Sequence, residues 1–322
     1  MTAVNASPRL ASRLVNGVLA VKPLANLAKH QARTMMIKRA ESIGVYWRDE
    51  VKVLRSRCQP DTQPAPNAEL SPDWEADLAR IQNPALDYPE YYLRSFHAYD
   101  EGNLGWEAAM EVEVAAYAVH ARIWPDAGVQ GDTRLRQSYH DILRAQLSTE
   151  PRDILDLGCS VGMSTFALQQ VFPQAKLTGL DLSPYFLAIA HYHTSLSTFH
   201  FPLPIWVHAA AESTGLPDHS FDLISASLLF HELPRTAAVQ IFREARRLLR
   251  PGGYLTIMDM NPKSDVHSKM PPYVLTLLKS TEPYLDDYFT FDIEGAIASA
   301  GFTQPTVTCN SPRHRTLVAQ VC

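Results

Sequence analysis

The chain has 322 residues, 46% of them apolar and 20% charged, with a formal net charge of −5. That is an ordinary balance for a globular protein with a core large enough to fold without staples. No apolar run approaches the roughly 20 residues needed to span a bilayer. Cys58, Cys159, Cys309 and Cys322 lie far apart, with no disulfide framework and no metal spacing, so a reducing compartment is expected. The charge is unevenly placed. Residues 1–57 carry 11 Lys and Arg against 3 Asp and Glu, residues 58–150 carry 6 against 16, and residues 151–322 carry 12 against 15. A basic arm on an acidic body argues against nucleic acid, which needs a basic face on the folded domain.

In chain order, residues 1–57 read as a basic, amphipathic helical arm. Leu10, Leu14, Val18 and Leu19 recur at helical spacing with Arg9 and Arg13 outside the stripe. Pro23 interrupts the pattern, and a second helix follows with Leu24, Leu27, Ala28, Met35 and Met36 as its apolar positions. Residues 8–40 suit an interfacial helix on an anionic membrane surface. They suit equally a helix packed on the rest of the chain, or an organelle transit segment, since the first 40 residues hold seven Lys and Arg and no acid. The protein is therefore expected to be cytoplasmic and peripheral to a membrane, with an organelle as the alternative.

Residues 58–90 form a linker containing Pro60, Pro64, Pro66, Pro72, Pro84 and Pro89. Residues 91–150 form a helical lead-in, with helices near 106–123 and 133–147. The stretch 88–106 is rich in rings. From Arg152 the texture changes to strand–helix alternation, with strands at 153–157, 176–182, 205–211, 221–227 and 253–260 and helices at 162–172, 184–196 and 235–250. Such alternation implies a parallel sheet covered on both faces, so residues 151–322 are expected to be an α/β domain.

Ligands of open parallel sheets bind beyond the carboxyl ends of the strands. The first strand runs into Asp156-Leu157-Gly158-Cys159-Ser160-Val161-Gly162. A dinucleotide fingerprint starting at Gly158 would need glycine where Ser160 and Met163 stand. A carboxylate at the strand end also suits a cationic ligand better than a pyrophosphate. The second strand ends at Asp181, about 20 residues after the glycine turn, where a carboxylate can accept from both hydroxyls of a ribose.

DILDLGCSVG, LTGLDLSP, LPDHSFDLISASLLFHELP and RRLLRPGGYLTIMDM, in that order, resemble successive motifs of the class I S-adenosylmethionine-dependent methyltransferases. The closest likeness is to the group containing the ubiquinone/menaquinone C-methyltransferases, and it covers roughly residues 150–322. The resemblance implies a Rossmann-like, seven-stranded, mostly parallel sheet with helices on both faces and an antiparallel C-terminal edge strand, preceded by the helical N-terminal extension. It implies S-adenosyl-L-methionine as cofactor, with Asp156, Gly158, Cys159, Ser160 and Gly162 around the methionine moiety, Asp181 on the ribose, and Leu182, Ala211 and Glu212 near the adenine. Ser160 replaces the family's middle glycine, and Ala210 stands where an acid is often found.

His231, after the fourth strand, is the candidate catalytic base. The alternative is a histidine that caps the next helix or packs under the cofactor. His97, Tyr99, Asp100 and Glu101 in the ring-rich segment are substrate candidates, the alternative being a packing layer. Asp259, Tyr273 and Tyr284 are placed at the acceptor pocket by the resemblance. No Cys/His cluster has ligand spacing, so no metal is expected. The expected function is C- or O-methylation of a small, apolar aromatic or isoprenoid acceptor, without a nucleic-acid partner. The rival is a non-catalytic cofactor-binding or membrane-associated assembly protein that keeps the methyltransferase fold.

Overall fold

A computed structural model describes residues 22–57, 69–97, 99–197 and 202–322. Residues 8–21 of the arm and most of the proline-rich part of the linker lie outside these. The C-terminal half is built on a seven-stranded sheet: β1 (Asp153–Leu157), β2 (Lys176–Asp181), β3 (Ile205–His208), β4 (Phe221–Ser227), β5 (Leu249–Met260), β6 (Thr306–Cys309) and β7 (His314–Gln320). The strand order is β3-β2-β1-β4-β5-β7-β6. Strands β1 to β5 pair in parallel, while β7 runs antiparallel to both β5 and β6, so it is inserted one position in from the edge.

Strands covered on both faces read as near-continuous apolar runs, which is why DILDL shows no alternation of polarity. Side-chain alternation still assigns each residue to a face. Leu155 and Leu157 pack with Ile241 and Phe242 of the helix Arg235–Leu248, whereas Ile154 packs with Leu135, Tyr139 and Leu143 of the helix Gly131–Gln146. Helices thus cover both faces. Order reverses between β1 and β4, so β1 and β2 end in the crevice where such sheets hold ligands.

The N-terminal half is built onto these strand ends. The helix Lys22–Ser42 takes Pro23 in its first turn, where a missing N–H costs nothing, so that proline opens the helix instead of breaking it. The helix stops at Gly44 (φ +85°), with Gly44 N–H bonded to Glu41 O and Val45 N–H to Ala40 O, a Schellman closure. The helix Trp47–Ser56 follows. Ala40, Val45 and Trp47 then pack on Val114 and Ala118 of the helix Trp106–His120. The linker is also more ordered than its prolines suggest. It holds the helix Asp73–Ile81, whose Trp74 is buried with Tyr99, Met110, Phe186 and Ile189. Arg33 donates to Glu111 (Nε to Oε2, 3.1 Å), which also accepts from the Tyr99 hydroxyl at 2.6 Å. This part of the arm therefore packs on its own chain. Among the described residues no helix is long and apolar enough to cross a membrane.

If the arm is part of the folded unit, Trp47→Ala should lower stability by about 3–5 kcal/mol, because Trp47 is 1% exposed. Urea unfolding measures this. A loss under about 0.5 kcal/mol, the size of a surface change, would mean the arm is only loosely attached.

Candidate active site

The turn after β1 is shaped by close approaches. Gly158 has φ +65°, and a Cβ there would stand 2.7 Å from Leu229 Cδ1. Its N–H and that of Cys159 both donate to Leu180 O, at 2.8 and 3.1 Å, which ties the turn to β2. Gly162 has φ +88°, and its Cβ would meet Phe166 and Trp206 at 2.8 Å. Ser160, in the family's glycine position, is also left-handed at φ +50°. Its N–H donates to Asp181 Oδ2 at 2.8 Å, which holds the serine in that conformation.

Asp181 closes β2. Its other oxygen accepts from Ser183 N–H at 2.8 Å, so each oxygen takes one backbone donor and keeps acceptor capacity for a ligand. Burial raises its carboxyl to about 6, against the pull of those two N–H groups. Asp156, also raised to about 6 by burial, is used differently from the expectation. Its Oδ2 accepts from Ser164 Oγ (2.6 Å) and Thr165 Oγ1 (2.7 Å) on the following helix, while Oδ1 is buried without a partner. It braces the glycine turn from beneath and does not line the cavity.

A cavity of about 690 Å³ opens over these strand ends. Gly158, Cys159, Ser160, Asp181, Leu182 and Ala211, six of the residues assigned to the cofactor from the sequence, line it. Gly162 and Glu212 stand behind the wall. Glu212 accepts from the hydroxyl of Tyr91 at 2.5 Å, and it is Tyr91 that faces the cavity. His208 fixes this corner: its Nδ1 accepts from Asn83 N–H (2.8 Å), so its Nε2–H donates to Leu182 O (3.0 Å). The linker is thereby pinned to the loop that carries Leu182.

His231 also lines the cavity. Its Nδ1 lies 2.7 Å from Asp259 Oδ1, and Asp259 Oδ2 accepts from Phe230 N–H (2.8 Å) and His231 N–H (3.2 Å). Asp259 is fully buried on β5, behind the cavity wall, where it holds His231. Burial opposes charge on His231, but the Asp259 carboxylate, helped by Glu282 and Glu232, outweighs it, and the imidazole is raised to about 10. Beside it, His97 Nε2 stands 3.4 Å from both Glu232 Oε1 and Glu282 Oε1.

The substrate candidates divide. His97 and Tyr99 line the cavity, together with Tyr91, Tyr92 and Phe96 of the same segment. Asp100 and Glu101 do not: both are exposed, on the turn that follows the bridge between Phe96 and Tyr99. Tyr284 lies behind the wall, its hydroxyl 3.4 Å from Tyr91 O. Tyr273 is on the helix Pro272–Thr281, and its side chain lies outside the described residues. Sequence reasoning missed the far end of the cavity. There Met35, Met36, Ala115, Val119, Val274 and Leu278 form an apolar wall, and Arg39, Arg122 and Arg313 lie along it. Arg313 donates to Arg122 O at 3.0 Å, and none of the three has a carboxylate within ion-pair distance among the described residues. Burial and the neighbouring arginines push Arg39 and Arg313 below the usual guanidinium value.

A family model described as a methyltransferase domain matches residues 155–257. A malonyl-[acyl-carrier protein] O-methyltransferase of Hahella chejuensis is 38% identical over 107 residues, 33% of this chain and 35% of that protein. The chain thus spans about a third of that relative's length. An uncharacterized methyltransferase of Synechocystis sp. is 28% identical over 188 residues, 58% of this chain and 82% of the relative. Among solved structures, one described as a candidate O-methyltransferase from Nostoc punctiforme shares the fold, with a TM-score of 0.51 at 18% identity over 86% of this chain and 73% of the other.

The geometry of Asp181 carries a direct test. Asp181→Ala should weaken S-adenosylhomocysteine binding by about 1.5–3 kcal/mol, because hydrogen bonds to a charged group are lost. With its carboxyl raised to about 6, the ionised form that accepts from ribose hydroxyls is lost as pH falls through that value. Wild-type affinity measured by calorimetry should therefore drop between pH 7 and pH 5, and a flat profile would remove Asp181 from the site. The matched segment, the strand order and the strand-end site agree on a methyltransferase domain over residues 155–257, with S-adenosyl-L-methionine as its cofactor.

Proposed function

We propose that this chain transfers the methyl group of S-adenosyl-L-methionine to an oxygen or a ring carbon of a small acceptor with an apolar body and an anionic end. The observation that carries this reading is the second half of the cavity. Beyond the cofactor residues its wall is apolar, and it ends at three arginines without carboxylate partners among the described residues. Methionine-rich walls adapt to flexible apolar ligands, and guanidinium groups suit carboxylate or phosphate.

Methyl transfer from a sulfonium is an in-line displacement. Held at Gly158, Ser160 and Asp181, the cofactor would supply a methyl carbon to the acceptor's oxygen or carbon, its sulfur leaving with the electron pair of the broken bond. The donor is already activated, so the protein's tasks are alignment and exclusion of water. His231 is proposed to take the acceptor's proton on Nε2, the nitrogen left over when Nδ1–H is held by Asp259. An imidazole raised to about 10 is protonated at neutral pH in the unliganded site. His231 would act as a base only after losing that proton, which the acidic limb of the pH–rate profile reports.

Conversion of the cofactor with a lipid extract, followed by mass spectrometry for a product heavier by one methyl, tests the reaction. His231→Gln should lower turnover about 10²–10⁴-fold, leave S-adenosylhomocysteine affinity unchanged and flatten the acidic limb of the pH–rate profile. Asp259→Asn should move that limb to lower pH, since the neighbouring carboxylate is what holds the imidazole high. Equal losses of melting temperature and turnover with an unchanged limb would retire the base. At the far end, Arg313→Ala should raise KM for an anionic acceptor by about tenfold or more, as a charged hydrogen bond is lost, and leave kcat near wild type. An acceptor whose KM is indifferent to Arg313 does not bind through that end.

A further inference from the structure

We infer that His97, Glu232 and Glu282 form a binding site for a single divalent transition-metal ion, with zinc the best fit, in the roof of the cavity. The three residues come from separate elements: the ring-rich segment, the turn after β4, and the end of the helix Pro272–Thr281. Each nevertheless offers one ligand atom, and these atoms lie within 4.8 Å of one another. Spacing along the chain could not reveal such a group, because 135 and 50 residues separate its members.

The distances are those of ligands around an ion. His97 Nε2 is 3.4 Å from Glu232 Oε1 and 3.4 Å from Glu282 Oε1. Two ligands each about 2.1 Å from a tetrahedral ion stand about 3.4 Å apart. A hydrogen-bonded imidazolium–carboxylate pair is shorter, at about 2.7–2.9 Å, which is the 2.7 Å seen for His231 and Asp259. An independent feature points the same way. Glu282 is 7% exposed, and its Oε2 is buried with no hydrogen-bond partner, which is costly for a carboxylate unless something is missing from its surroundings. The backbone also fixes His97 in place: its N–H donates to Thr281 O at 2.9 Å, next to Glu282.

All three residues line the cavity beside His231. Three protein ligands with one position left over is the pattern of zinc sites that hold a water or substrate oxygen. Two carboxylates and one neutral imidazole would leave the bound dication without net charge. Binding of the ion stands on these three side chains alone. Its role rests on the proposed methyl transfer: it would hold the acceptor's oxygen and favour release of its proton to His231.

Cobalt(II), a spectroscopic stand-in for zinc, separates these two parts on the full-length chain. Titration should give one ion per chain with the visible bands of a tetrahedral nitrogen and oxygen site, and zinc should displace it. Glu282→Gln and His97→Ala should each weaken binding more than about tenfold, with S-adenosylhomocysteine heats unchanged. Glu282→Gln replaces a buried charge by a neutral group of equal size and should not unfold the protein. Absence of uptake would overturn the site, and so would uptake that survives both substitutions or shows the charge-transfer bands of thiolate ligands. The three residues would then be a buried ion network, with His97 as its cation. Binding with intact bands, but with turnover indifferent to the metal, would keep the site and remove its role in the reaction.

Discussion

Everything in the catalytic half depends on two carboxylates kept out of water at the ends of neighbouring parallel strands. Asp156 and Asp181 are buried, and burial raises both to about 6. A carboxylate is expensive to bury without compensation, and each is compensated differently. Asp156 takes two hydroxyls from the helix that follows the glycine turn. Asp181 takes two backbone N–H groups, one of them from the turn itself. The turn is thus held between the two acids, and its left-handed residues Gly158, Ser160 and Gly162 follow from that closeness. The remaining acceptor capacity points to a cationic, hydroxyl-rich ligand.

This part of the molecule was legible in the sequence because it is local. The glycine turn and Asp156 lie within seven residues, and Asp181 follows at the spacing that a strand–helix–strand unit fixes. Strand boundaries were readable for the same reason: a strand buried on both faces is a short apolar run with sharp ends, as DILDL and FDLISAS show. The helix Asp73–Ile81 was hidden because its nine residues sit among prolines, and its single large anchor, Trp74, is buried by contacts with distant parts of the chain. Asp100 and Glu101 were misplaced because they fall on the exposed turn just after the bridge between Phe96 and Tyr99, which the ring-rich composition of the segment does not display. The roles of Asp156 and Glu212 behind the wall depend on partners that no spacing displays.

The acceptor half was illegible because it is assembled from the whole chain. Met36 and Arg39 come from the arm, His120 and Arg122 from the lead-in, Leu278 and Glu282 from the segment after β5, and Arg313 from the hairpin before β7. Each residue alone is an ordinary surface or core position. The basic arm, whose charge suggested a membrane or a targeting role, spends part of that charge inside its own chain: Arg33 on the buried Glu111, and Arg39 at the far end of the cavity.

The distribution of charge along the cavity gives this assembly a chemical direction. Carboxylates stand at the donor end, where the cofactor brings a sulfonium and an ammonium. Arg39, Arg122 and Arg313 line the same cavity with the apolar residues Met35, Met36, Val274 and Leu278, while a further lining arginine, Arg136, lies near Asp156. An anionic acceptor group drawn to the donor end would meet Asp181, Glu232 and Glu282 and be repelled unless something there were positive. Under the proposed function, an acceptor with one anionic end would place that end on Arg39, Arg122 and Arg313 and its reacting group at His231. If the reacting group is itself an oxygen anion, the positive element that receives it must be the cofactor's methyl sulfonium, the His231 imidazolium or an ion held by His97 and its two carboxylates. The field of the cavity thus leaves orientation to the two ends and reserves the middle for shape, which is where acceptors of different apolar bodies would be told apart.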